Sequence, residues 1–246
     1  MTGLTLAVDT SHQVAVGVAD DDRVLTADVV ADSRAHVEQL MPLVRTTLAS
    51  TGVELADLSR IVVGLGPGPF TGLRVGVVTG WTLAATLGIP SHGICTLDVI
   101  ARQWAPGMSV PDEFVVATDA RRKELYWARY RADGTRIGAP AVSAAADLPD
   151  LPVVGSGAAA WSEVLGDRIV TDASAPVDLD AGLMAAIGFT LPSTGDEPLY
   201  LRRPDATEPR QRKSALPAAH GQPRANGPRL LRGLSSRRES AWKGES

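Results

Sequence analysis

Residues 64–76 read GLGPGPFTGLRVG, and what this loop grips decides which fold surrounds it. Its glycine density suggests a phosphate cradle. A Walker A loop, however, needs a lysine just before the helix, and the only cation here is Arg74. The dinucleotide fingerprint G-x-G-x-x-G fails as well, because counting from Gly66 and Gly68 places Thr71 where the third glycine should stand. The loop therefore serves something other than a standard nucleotide motif.

Working outward, an all-apolar strand (RIVVGL, 60–65) precedes the loop, as expected of a strand buried on both faces. A helix to about Leu87 follows, then the strand IPSHGIC and a helix from about Leu97 to Trp104. Upstream, LTLAVDT, QVAVGVAD and RVLTADVVA alternate and are separated by turns, which predicts an antiparallel meander. Asp32 or Ser33 can cap a helix over 34–50 whose Val37, Leu40, Met41, Val44 and Leu48 keep helical spacing, with Pro42 bending it. After residue 105 the pattern restarts: EFVVATD and ELYWARY flank a turn at Ala120-Arg121-Arg122, and VVGSG ends a short strand before WSEVLG. The reading is α/β, with units at 1–105 and 106–209, the second reduced.

The chain has 246 residues, 44% apolar and 21% charged, enough to build an ordinary globular core. One cysteine, Cys95, excludes a disulfide framework and a cysteine metal cluster, and points to a reducing compartment, the cytoplasm. The amino terminus lacks the basic region of a secretory signal. No charge occurs from Val75 to Leu97, but Gly88, Pro90, His92 and Gly93 interrupt the run, so a membrane span is not expected. Net charge is −4, yet residues 1–209 carry −11 and residues 210–246 carry +7. That tail, rich in Pro, Gly, Ser and Arg, reads as disordered; it is either a solvated extension or an electrostatic RNA contact.

In the helix after the loop, Gly72, Gly76, Gly80 and Ala84 recur every fourth residue. Three helical glycines cost about 3 kcal/mol relative to alanine, so close packing must offset them. Charge is absent from the helix after Arg74, which leaves it without a solvating face. Either its own chain encloses it or a partner covers part of it; the partner is the inference drawn.

LAVDTS, SRAHVEQLMPLV, GLGPGPFTGLRVG, IPSHGICTLD and PLYLRRPDAT, in this order, resemble the TsaB (YeaZ) family of bacterial tRNA threonylcarbamoyladenosine biosynthesis proteins. The resemblance implies the actin, Hsp70 and sugar-kinase (ASKHA) fold of two related α/β domains. It also implies a non-catalytic partner of the paralogue TsaD, which transfers threonylcarbamoyl to N6 of adenosine 37 in tRNAs reading ANN codons. A TsaE-type ATPase joins the assembly, and tRNA is met through the complex. The implied heterodimer face is Val37, Leu40, Met41, Val44 and Leu48 with Gly72, Val75, Gly76, Thr79, Gly80 and Leu83; a homodimer could use the same helices. The family usually has serine where Pro69 stands, which leaves Thr71 as the capping hydroxyl.

No catalytic residue and no metal ligand set is expected. The paralogue's H-x-x-x-H pair is replaced here by His92 and Thr96, and one imidazole is not a metal site. In this fold the hairpin Asp9-Thr10-Ser11 would aim amides at phosphates, with Asp119 as its counterpart and Gly155 and Gly157 near a base. A residual or absent nucleotide site is the reading preferred; ATP or ADP at the complex interface stays open, as does an ATPase of the same fold acting alone.

Overall fold

Strands β1 (Leu4–Asp9), β2 (Val14–Asp20) and β3 (Arg23–Val30) form an antiparallel meander in the computed structural model, which describes residues 3–30, 36–105, 112–170 and 178–202. β4 (Arg60–Gly64) and β5 (Ser91–Ile94) add in parallel, giving the order β3-β2-β1-β4-β5. A second sheet, from β6 (Glu113–Asp119), β7 (Leu125–Arg131), β8 (Arg136–Ser143) and β9 (Val153–Val154), has the order β8-β7-β6-β9. Its first pair is antiparallel and its β6–β9 pair parallel, so the second sheet repeats the first without its fifth strand. The two sheets form a duplicated α/β arrangement, the kind that the family resemblance implies. Residues 1–204 form one compact unit, and the tail falls outside the described residues.

Alternation sets what each sheet face can hold. Leu6, Val8, Val14, Val16, Val18, Ile61 and Val63 point to α1 (His36–Thr51) and α2 (Phe70–Leu87). The intervening Ala7, Ala19 and Val62 point the other way, toward Met184, Ala185 and Leu191. Small residues on that face admit α6 (Ala181–Ile187) closely: a Cβ on Gly17 would lie 2.0 Å from the Ala181 carbonyl oxygen. α6 comes from the far end of the chain, so residues that follow the second sheet in sequence complete the core of the first.

α3 (Thr96–Trp104) lies between the sheets. Val99 joins the core of the first, while Leu97, Ile100, Ala101 and Trp104 pack with Phe114, Val116 and Tyr130 of the second. α4 (Ser156–Ala159) and α5 (Ser162–Leu165) serve the other face of the second sheet through Ala158 and Leu165. The caps expected at Asp32 or Ser33 lie outside the described residues; α1 is described from His36 with Pro42 inside it. β8 and α6 were not expected from the sequence.

Candidate functional site

The glycine loop closes on the turn that follows β1. A Cβ on Gly64 would stand 1.7 Å from Asp9 Oδ2, and one on Gly68 would stand 2.3 Å from the Ser11 carbonyl oxygen. The loop thus holds its own chain's Asp9-Thr10-Ser11 turn where a phosphate loop would hold ligand. Asp9 is 1% exposed. Its Oδ1 accepts from the Ser11 amide at 2.7 Å and the Ser11 hydroxyl at 2.6 Å, while Oδ2 accepts from the Thr96 hydroxyl at 2.5 Å. Burial raises the Asp9 pKa, and the three hydrogen bonds oppose that shift only in part.

These contacts correct the nucleotide-site expectation. Asp9, Thr10 and Ser11 are buried, and their polar atoms are engaged by their own chain, so no amide or carboxylate of the turn faces outward for phosphate. Gly155, at φ +99°, brings its Cα where a Cβ would be 2.5 Å from the Ala117 carbonyl oxygen; the same atom on Gly157 would be 2.7 Å from a Leu125 methyl. Both glycines therefore serve packing on β6. Asp119 repeats the Asp9 turn, its Oδ1 accepting from the Arg121 amide at 3.0 Å, but it is exposed. Among the described residues, the Asp9-Thr10-Ser11 turn is filled by its own chain and leaves no room for a nucleotide phosphate.

The glycine ridge of α2 also faces inward, contrary to its expected place on a partner surface. A Cβ on Gly76 would lie 2.3 Å from Thr10 Oγ1, and one on Gly80 would lie 2.5 Å from a Val63 methyl. Gly72 is buried, its carbonyl accepting from the Thr10 hydroxyl at 2.7 Å. Leu40, Val44 and Leu48 of α1 are likewise core residues, each at most 3% exposed. The ridge lets the helix backbone settle on β1 and β4, which is what offsets its glycines. The side chain of Val37 lies outside the described residues.

What remains outside is a different stripe of the same helix. Val78 is 62% exposed, Val75 and Thr79 are half-buried, and with Phe70, Thr71 and Arg74 they line an open groove of about 460 Å3. Leu83 and, on adjacent α1, Met41 are also half-buried. Thr71 does not cap the helix: Pro69 occupies the N-cap without a side-chain hydrogen bond, and Thr71 sits exposed in the first turn.

A strap missed by sequence reading frames this stripe. Tyr200 lies 4.9 Å from the Phe70 ring, and its hydroxyl accepts from Arg74 Nε at 3.2 Å; the Arg74 guanidinium rests 4.0 Å over Phe70. Trp81 Nε1 donates to the Asp196 carbonyl at 3.3 Å, and the Leu199 amide to the Leu65 carbonyl at 2.8 Å. The strap ends on the second sheet, where Arg202 Nη1 donates to the Ala120 carbonyl at 2.8 Å and its guanidinium pairs with Glu124.

Among the described residues, no three His, Cys, Asp or Glu side chains are grouped to hold a metal ion. His92 stacks on Phe189 at 5.1 Å, with Nε2 3.0 Å from the Leu191 carbonyl. Burial pushes the Cys95 thiol up to about 12, leaving it un-ionised and inert. Asp98 is buried with Tyr130, whose hydroxyl donates at 2.8 Å, and Arg136, 3.2 Å away.

Residues 30–170 match the family model of TsaD, tRNA N6-adenosine threonylcarbamoyltransferase. An uncharacterized protein of Mycobacterium tuberculosis is 44% identical over 82% of this chain and 92% of its own length. The tRNA threonylcarbamoyladenosine biosynthesis protein TsaB of Escherichia coli is 30% identical over 80% of this chain and 94% of its own. The chain belongs to the TsaB family. Two solved Pseudomonas aeruginosa structures agree with a TsaB-type fold. One, described as similar to peptidase YEAZ, superposes with a TM-score of 0.65 at 27% identity; the other, YeaZ, gives 0.61 at 26%. Each covers 81% of this chain and 100% of the solved one. No helix among the described residues is long and apolar enough to cross a membrane.

Proposed function

We propose that this chain is the non-catalytic, activating subunit of the assembly that transfers a threonylcarbamoyl group to N6 of adenosine 37 in tRNAs reading ANN codons. Its partner is a TsaD-type paralogue, and the assembly works in the cytoplasm. The observation that carries the reading is the uncovered apolar stripe of α2, with Val78 62% exposed beside Val75 and Thr79. An apolar patch of this kind, edged by the Arg74–Tyr200 pair, is the ordinary signature of a protein contact. The involvement in threonylcarbamoyladenosine synthesis is supported by the names of the TsaB relatives from Escherichia coli and Bacillus subtilis.

The chain needs no cofactor of its own in this scheme. A bound ATP or ADP belongs at the junction between chains, because Asp9, Thr10 and Ser11 are turned inward. A TsaE-type ATPase joins the pair, and two copies of this chain use the same stripe when the paralogue is absent. An ATPase acting alone is disfavoured by the burial of Asp9 beneath the glycine loop.

Co-purification with the paralogue, followed by tRNA modification with and without this chain, tests the reading. The expected result is a one-to-one complex whose modification activity is lost when the chain is omitted. Equal activity without it, or Mg-ATP turnover by the chain alone, would overturn the reading.

A further inference from the structure

The groove on α2 has a single charged wall. Arg74 lines it with Phe70, Thr71, Val75, Val78 and Thr79, none of which carries charge. Past Arg74 the helix is uncharged to its end at Leu87.

Arg74 is held in place before anything covers the groove. Its guanidinium lies 4.0 Å over the Phe70 ring, and its Nε donates to the Tyr200 hydroxyl at 3.2 Å. Tyr200 itself packs 4.9 Å from the same ring. The strap that carries Tyr200 is pinned on both sides of it: Trp81 Nε1 donates to the Asp196 carbonyl, the Leu199 amide to the Leu65 carbonyl, and Arg202 to the Ala120 carbonyl. A guanidinium fixed in this way gives up little further side-chain freedom on binding.

Only one edge of that guanidinium is used. Among the described residues, no carboxylate pairs with its terminal nitrogens. The Tyr200 hydroxyl accepts from Nε and keeps its own hydrogen for a further acceptor. Arg74 and Tyr200, both exposed, thus offer donors to one anion at the rim of an apolar recess. Covering Val75 and Val78 takes water away from these donors, and a guanidinium buried without a counter-charge opposes association. Whatever covers the stripe must bring an acceptor.

We infer that the groove receives an apolar helix of the paralogue that carries one carboxylate, bound by Arg74 and Tyr200 together. The inference rests on the subunit reading above for the identity of the partner, and adds what that partner presents. Val75 and Val78 give apolar contact to any helix of suitable shape. The Arg74–Tyr200 pair selects the acidic one and fixes its register.

The test is calorimetric titration of the full-length chain with the paralogue at low and at physiological salt. Arg74→Met keeps an apolar stem without the charge; it should weaken pairing at least about 30-fold and flatten the salt dependence of what remains. Tyr200→Phe keeps the ring without the hydroxyl and should weaken pairing about 3- to 10-fold. Arg74→Glu should abolish pairing, and exchanging one acidic residue of the paralogue's docking helix for lysine should restore it. Thermal melts establish that each variant is folded. Undiminished pairing of Arg74→Met overturns the inference, as does rescue of Arg74→Glu by none of the lysine exchanges. An Arg74→Met effect confined to self-association of this chain, or to tRNA affinity with pairing intact, assigns the donors to another occupant and equally overturns it. An unmodified chain that does not pair with the paralogue overturns the subunit reading and this inference with it, whereas pairing indifferent to position 74 overturns this inference alone.

Discussion

The hydroxyl of Thr10 enters the backbone ladder of α2: it accepts from the Gly76 amide at 3.0 Å while donating to the Gly72 carbonyl at 2.7 Å. A strand-end side chain thereby joins a helix across its first two turns, and glycine at position 76 is what admits it. Gly76→Ala would gain about 1 kcal/mol of helix propensity but place a methyl against Thr10 Oγ1, an overpacking cost of about 1–3 kcal/mol. The net expectation is destabilisation. Thr10→Ala in the same chain should recover part of it, and urea unfolding of the two single variants and the double variant reads the coupling directly.

Gly80 and Val78 separate folding from docking. Gly80→Val drives side-chain atoms into Val63 and should lower the unfolding free energy by roughly 1–3 kcal/mol, because overpacking outweighs a gain of a few tenths of a kcal/mol in helix propensity. Val78→Glu, on the outer stripe, should leave stability within about 0.5 kcal/mol while abolishing co-purification with the paralogue. Thermal melts alongside pull-downs decide; a stable Val78→Glu protein that still pairs would place the interface elsewhere.

Burial makes Asp9 hold its proton to higher pH in the folded chain than in the unfolded one. Its contribution is therefore fully present below the unfolded carboxylate range and is lost as pH rises through the folded value. Asp98, also raised by burial, acts in the same direction. Across the mildly acidic range, Asp9→Asn should lose stability with rising pH less steeply than the unmodified chain. Denaturation midpoints collected from pH 4 to 8 check this, and parallel slopes would count against it.

Tyr130 is fully buried, and its hydroxyl donates to the Asp98 carboxylate at 2.8 Å. Tyr130→Phe keeps the ring packing between α3 and the second sheet and deletes one donor to a buried carboxylate. The expected cost is about 2 kcal/mol, in the range for hydrogen bonds to charged groups. Differential scanning calorimetry would measure it, with pairing to the paralogue unaffected.

How much was legible in the sequence depended on the length and purity of each pattern. The first meander, the all-apolar strand at 60–64 and both long helices were read within a residue or two, because alternation and helical spacing run unbroken there. β8 was not, since Gly138 and Pro140 interrupt its alternation. α6 was missed because seven residues give too few turns to show a period. The glycine ridge was recognised as demanding close contact, but spacing alone does not say against what; Thr10 and Val63 answer that only in three dimensions. The Asp9-Thr10-Ser11 turn left two readings open for a related reason. D-T-S ends a strand equally well whether its polar atoms face solvent or, as here, Thr96 and Gly72.

The return of α6 to the first sheet bears on how the protein is made. As the ribosome releases the amino-terminal strands, Gly17 and its neighbours emerge with one oily side bare, and the segment that shields them, around Ala181, is translated well over a hundred residues later. Nascent chains stalled before that point should need chaperone protection, and a fragment ending after the first sheet should clump when expressed by itself.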